Sequence, residues 1–211
     1  VSAEQFERCL FPVGELEKKA VRARATAAGL ITHNKKDSTG ICFIGERRFN
    51  DFLKTYLPSQ PGEIRSTEGA YLGQHQGLMY HTLGQRQGLG IGGVRGTPDA
   101  PWYVAGKNLG DNTLLVCQGH DHPSLLSQTV TIAQLHWVND PPKAARVAVK
   151  LRYRQADQFG ELTCHDSSGE RLTVSFETPQ RAATPGQWAC FYDDDICLGG
   201  GVIESSMGVA P

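Results

Sequence analysis

Long apolar runs are missing from this chain: none approaches the roughly 20 residues that a membrane-spanning helix needs, so no membrane span or membrane role is expected. The first residues, Val1-Ser2-Ala3-Glu4-Gln5, lack an initiator Met and the basic-then-apolar order of a secretory signal, and the expectation is a chain that begins partway through a longer protein. Cys-x-x-Cys pairs are missing as well. The six cysteines stand apart at Cys9, Cys42, Cys117, Cys164, Cys190 and Cys197, and 211 residues are too many to need a disulfide framework. A reducing, cytoplasmic setting is therefore expected, with most thiols serving as small buried hydrophobes. Net charge is nearly absent at −1, so only a local basic face can argue for nucleic acid. Repeats and low-complexity segments are also lacking.

The periodic patterns that are present divide the chain. Ser2-x-x-Gln5 is a capping-box signature, and Pro12 closes the short helix it opens. Leu16, Ala20, Ala23 and Ala27 recur at helical spacing, with Gly29 as the stop. Phe49, Phe52, Leu53, Tyr56 and Leu57 form a third stripe of period 3.6, closed by Pro58. From Pro61 onward the pattern changes to short strands at 63–66, 102–105 and 114–117, the last two joined by a turn at Asp111-Asn112. Further strands are predicted at 129–138, 146–154, 161–165, 171–177, 187–192 and 196–204, with hairpin turns at Ser168-Gly169 and 193–195. These six antiparallel strands predict a small barrel or sandwich. The class is thus α+β, mostly β: a helical segment and a small mixed central domain, then an all-antiparallel unit. A boundary is expected in the polar stretch 119–127.

One segment concentrates chemistry. His33-Asn34-Lys35-Lys36-Asp37-Ser38-Thr39-Gly40-Ile41-Cys42-Phe43-Ile44-Gly45-Glu46-Arg47-Arg48 sets a single cysteine between two basic pairs. Nearby cations favour the thiolate, the nucleophilic form, so Lys35, Lys36, Arg47 and Arg48 would supply a field that activates Cys42. An apolar Ile-Cys-Phe-Ile run also fits a plain buried cysteine, and composition leaves both readings open. A cysteine hydrolase would need a histidine base, for which His33 is the near candidate.

Three other patterns are weaker. Gly88-x-Gly90-x-x-Gly93 has the dinucleotide spacing, but Gly96, Thr97 and Pro98 oppose the helix that phosphate binding requires, so a flexible loop is expected. His120-x-His122 lacks partners for a metal and reads as linker, and no metal site is expected. His75 and His81, among glutamines, read as surface hydrogen-bonding residues. Strict alternation over 146–154 places Arg146, Lys150, Arg152 and Arg154 on one face, with Val147, Val149, Leu151 and Tyr153 on a core face.

The segment Asp37-Ser38-Thr39-Gly40-Ile41-Cys42-Phe43-Ile44-Gly45-Glu46-Arg47 resembles the signature around the second active-site cysteine of the tRNA-specific 2-thiouridylases. Leu10-Phe11-Pro12-Val13-Gly14-Glu15-Leu16, Gly73-Gln74-His75-Gln76-Gly77-Leu78-Met79-Tyr80-His81-Thr82-Leu83-Gly84-Gln85-Arg86, Arg152-Tyr153-Arg154-Gln155, Thr184-Pro185-Gly186-Gln187 and Cys197-Leu198-Gly199-Gly200-Gly201 continue the resemblance in order. It implies a remnant of the catalytic region at 1–48, a central domain at 49–119 and a C-terminal six-stranded antiparallel β-barrel at 120–211. It also implies an enzyme that thiolates the wobble uridine of tRNA, with ATP adenylating the base and a persulfide on Cys42 delivering sulfur. The family's Ser-Gly-Gly-x-Asp-Ser phosphate loop and first cysteine do not occur here, so ATP is expected to bind an N-terminal domain outside the chain, and the chain alone is expected to be inactive. The partners implied are tRNA, met through Arg154, Gln155 and Gln187, and a persulfide sulfur-donor protein such as a sulfur relay protein or cysteine desulfurase. A tRNA-binding module without chemistry of its own is the alternative.

Overall fold

The computed structural model describes residues 3–36, 56–92, 100–138, 140–142, 145–153, 155–164 and 170–208. The chain forms two compact units, 1–58 and 59–211. The first carries α1 (Ala3–Phe6) and α2 (Lys18–Ala27), neither of which buries a residue among those described. Gly29, at φ +67°, supplies the left-handed residue that stops α2. The helix predicted over 49–57 falls almost wholly outside the described residues.

The second unit opens with a four-stranded sheet of β1 (Gly62–Ser66), β2 (Tyr71–His75), β3 (Trp102–Asn108) and β4 (Thr113–Gln118), in the order β2-β1-β4-β3. Its β1–β4 pair is parallel and the flanking pairs are antiparallel, so the sheet is mixed. Strand β2 carries no alternating apolar signal, and sequence reasoning left it unassigned. It forms because β1 presents a free edge on which Ile64 pairs with Gly73. The stretch after β2 folds back so that Leu78 and Leu89 join Ile64, Val104, Leu114 and Val116 in one core.

A closed barrel follows, built from β5 (Leu126–Trp137), β6 (Arg146–Lys150), β7 (Gln158–Cys164), β8 (Arg171–Arg181), β9 (Trp188–Asp193) and β10 (Ile196–Gly208). The order β10-β5-β8-β7-β6-β9 closes on itself with every pairing antiparallel, which leaves no sheet edge to cover. In β8 period 2 holds: Leu172, Val174 and Phe176 point inward, while Ser175 and Glu177 are exposed. Val130, Ile132, Val149, Phe191 and Ile203 complete a core in which the Phe191 and Trp137 rings stack at 5.3 Å. Asn112 and Asp194, both at positive φ, make the predicted turns of the β3–β4 and β9–β10 hairpins. The predicted turn at Ser168-Gly169 lies outside the described residues.

Alternation over 146–154 fails partway. Strand β6 ends at Lys150, Ala148 is buried on the supposed outer face, and Tyr153 is 91% exposed instead of facing the core. The reason is a turn: Gln155 Oε1 accepts from Leu151 N at 2.8 Å, which bends the chain off the barrel after Leu151.

Candidate functional site

Cys42 and its flanking Arg47 and Arg48 lie outside the described residues. Lys35 and Lys36 are exposed at the end of a turn, where Lys35 O accepts from Arg22 Nη2 at 3.5 Å. His33 directs Nδ1 to Leu30 O at 2.8 Å.

The remaining thiols separate by environment. Cys117 is 1% exposed, and burial pushes its pKa up to about 11, with the nearby Arg181 charge opposing the rise. Cys190 is half-buried and also raised, first by burial and then by Cys197. Cys197 departs from the expectation that most of the thiols are buried: it is exposed, because it lies at the start of β10 beside the β9–β10 turn, where the barrel wall ends. Cys9 is exposed as well.

The two histidines expected at the surface are buried. His75 is 2% exposed, its Nε2 donates to Asn112 O at 3.0 Å and its Nδ1 accepts from Gly77 N at 3.0 Å, so the ring staples β2 to the β3–β4 hairpin. His81 is 7% exposed, with its ring centroid 5.9 Å from that of His75. By contrast, His120 and His122 stay apart in role. His120 Nδ1 meets Asp121 at 2.6 Å, while His122 Nδ1 accepts from Ser124 N and caps a short turn. Among the described residues no group of three or more His, Cys, Asp and Glu stands together to hold a metal ion.

Two of the four residues of the cationic face are neutralised. Arg146 pairs with Glu177 at 2.6 Å and lies over the Phe159 ring, and Lys150 pairs with Asp157 at 3.0 Å and lies over Tyr192. Gln155 also turns inward. Its Nε2 donates to Gln180 Oε1 at 2.9 Å, and Gln180, 3% exposed, donates on to Gln158 Oε1 at 3.0 Å. Arg154 lies outside the described residues. Gln187 is exposed and lines a groove of about 610 Å³ with Thr82, Gln85, Arg152, Tyr153 and Trp188. One wall is thus the segment that follows β2, and the other is the barrel. Within that wall Thr82 N donates to Gln85 Oε1 at 2.9 Å, and Gly84 N donates to Val104 O at 2.8 Å, which locks the turn onto β3.

Three family models match in succession: a tRNA methyl transferase HUP domain over residues 1–46, a tRNA methyl transferase PRC-barrel domain over 50–118 and an aminomethyltransferase beta-barrel domain over 127–203. The tRNA-specific 2-thiouridylase MnmA of Shewanella denitrificans is 58% identical over 207 residues, covering 97% of this chain and 55% of that protein. The chain belongs to the tRNA-specific 2-thiouridylase family. The enzyme of the same name from Pseudomonas aeruginosa is 58% identical over 208 residues, 98% of this chain and 55% of its own, and that of Pseudomonas syringae is 57% identical over 206 residues. The chain therefore spans about half the length of the curated 2-thiouridylases it matches.

The 2-thiouridylase motif around residues 73–86 proves to be β2, the histidine staple and the groove turn, in that order. Trp188 was not among the site candidates, and Arg152 stood only as a member of the basic strand face and of the motif at 152–155. The signal was a basic residue that opens one family motif and an indole that follows another, but only closure of the barrel brings β6 and β9 together so that both residues line the groove with Thr82 and Gln85.

Proposed function

We propose that this chain is part of an enzyme that replaces the 2-oxygen of the wobble uridine of tRNA by sulfur, with Cys42 as the sulfur carrier. The reading rests on one observation above the others: 58% identity to proteins named tRNA-specific 2-thiouridylase runs over 97% of the chain and includes the whole segment around Cys42. Cys42 accepts a sulfane sulfur from a donor protein and holds it as a persulfide, a step that needs a reachable, readily ionised thiol. ATP supplies the activation by adenylating the C2 oxygen, with pyrophosphate released. The terminal persulfide sulfur then attacks C2, AMP leaves with that oxygen, and a second cysteine attacks the Cys42 sulfur to complete transfer as a disulfide. The 211 residues contain no Ser-Gly-Gly-x-Asp-Ser loop, so ATP is assigned to another part of the working enzyme, and with it the resolving cysteine, the family's first. Lys35, Lys36, Arg47 and Arg48 favour the Cys42 thiolate. Residues 49–119 and the barrel at 120–211 bind tRNA, with Arg154 and Gln187 among the contacts and Gln155 supporting them from within. The setting is a reducing cytoplasm.

In the full-length enzyme, Cys42→Ser should abolish thiolation, by more than about a thousandfold for loss of a covalent carrier, while leaving tRNA binding intact. The measurement is 2-thiouridine in digested tRNA by mass spectrometry. Retained thiolation by the Ser protein would sink the assignment. A pure tRNA-binding module predicts no persulfide on Cys42 after incubation with a sulfur donor, and peptide mass spectrometry separates the two.

A further inference from the structure

At one end of the sheet a pocket of about 580 Å³ opens between the β3–β4 hairpin and the helical turn Leu78–Tyr80, lined by Gln60, Leu78, Met79, Lys107, Leu109 and Asn112. It shares no residue with the groove at the barrel. Lys107 is out of keeping with its place there. It pairs with Leu114, which is fully buried, and cross-strand partners share a face, so a cation ends the row of core side chains that includes Ile64 and Leu114. Among the described residues Lys107 makes no ion pair or hydrogen bond, and burial alone lowers its pKa. His81 stands close enough for the Lys107 charge to add to the effects of burial and His75 in lowering its pKa, and its buried Nδ1 has no hydrogen-bond partner. Two basic groups thus gather without an acid to answer them, and an incoming negative charge would stabilise the protonated form of both.

The rest of the pocket is apolar and open. Leu109 is 80% and Met79 38% exposed, so apolar surface runs outward from the lysine to the hairpin tip. One ammonium among three apolar side chains suits a single charge carried on an apolar body, because a phosphate would give up more hydration than one lysine returns. Asn112 Nδ2 donates to Gln60 O at 3.3 Å and to Pro61 O at 2.9 Å, which fixes the side chain and leaves Oδ1 to accept from a peptide N–H. A charge partner, a fixed amide and an exposed apolar rim together fit the end of a polypeptide.

We propose that this pocket binds the C-terminal carboxylate of a protein partner whose last residue is large and apolar. Lys107 pairs with the carboxylate, Asn112 Oδ1 accepts from the peptide backbone, and Leu78, Met79 and Leu109 seat the apolar side chain. The site does not depend on the tRNA reading above.

The test uses acetyl-Leu-Leu with a free carboxylate as probe and its C-terminal amide as control. Binding to the full-length protein is followed at the Met79 methyl resonance after ¹³C labelling of methionine methyls. The acid should shift that resonance saturably and bind about tenfold more tightly than the amide, as for a hydrogen bond between charged groups. Lys107→Met keeps the aliphatic stem and removes the charge, so acid and amide should then bind alike. Leu109→Ser, at an exposed tip where folding is not at stake, should weaken both to the same degree. Equal affinity of the wild type for acid and amide, or no shift at Met79 at millimolar probe, overturns the proposal. Octanoate binding as tightly as acetyl-Leu-Leu, with the same loss in Lys107→Met, would reassign the pocket to free organic acids and overturn the peptide assignment. If Lys107→Met weakens tRNA binding and leaves the preference for the acid unchanged, the lysine serves RNA and the proposal fails.

Discussion

His81 shows how a single side chain ties stability to pH. Its Nδ1 is buried without a partner among the described residues, and its pKa is lowered by burial first and by the charges of His75 and Lys107 next. At pH 7.5 the ring is neutral folded or unfolded, and it contributes no pH dependence. As pH falls through the ordinary histidine value of about 6.5, the unfolded chain takes a proton that the folded one resists, so stability falls with pH from there downward. Thermal midpoints between pH 7.5 and 5.5 should fall more steeply for the wild type than for His81→Gln, and parallel curves would show that His81 is not the titrating group. Cys117 behaves in the opposite sense as a probe. Held near pKa 11 in a core cluster with Tyr103 and Leu125, it stays a thiol and inert in the folded state.

Strand β10 illustrates what a run of glycines does inside a barrel. Gly199 sits at φ +152°, and a Cβ on it would come within 2.3 Å of His136 O across the β5 pairing. On Gly200 a Cβ would meet Ala189 O and the Trp188 indole, and on Gly201 it would meet the Ile132 side chain at 2.6 Å. The three glycines therefore let β10 lie tightly between β5 and β9, with Trp188 resting on its outer surface. Gly199→Ala requires both a strained backbone and a displaced neighbouring strand, and should cost about 2–4 kcal/mol. Chemical denaturation followed by tryptophan fluorescence measures it. A loss within about 0.5 kcal/mol would mean that β10 relaxes around the added methyl without consequence.

At the scale of the molecule, residues 59–211 make one compact unit although the sheet and the barrel each hold a core of their own, with a smaller third cluster beside them. The coupling runs through the Tyr103–Cys117–Leu125 cluster and through Arg181, which leaves the barrel to cover Tyr103 and bond to His120. A lesion deep in the barrel should accordingly loosen the sheet. Phe191→Ala removes a fully buried ring stacked on Trp137, at a cost of about 3–5 kcal/mol. Alkylation of Cys117 in moderate denaturant, read by peptide mass spectrometry, should then become faster in that variant. Unchanged labelling alongside a lowered barrel midpoint would show that sheet and barrel unfold separately.

Local pattern was enough for much of this. Period-2 runs placed all six barrel strands, Asn112 marked the β3–β4 turn and Asp194 the β9–β10 turn, and Gly29 ended α2, because each of these depends on neighbours in sequence and on backbone sterics. The apolar alternation of β8 read out its inward face directly. What neighbours in sequence could not convey was who meets whom. Strand β2 exists because β1 offers it an edge, and His75 is buried because a distant hairpin supplies Asn112 O. Gln155 is drawn inward by Gln180, 25 residues away. The groove itself forms only when closure of the barrel sets Arg152, Gln187 and Trp188 opposite Gly84, since contacts at long sequence separation follow from chain topology and packing and leave no periodic trace in the residues that make them.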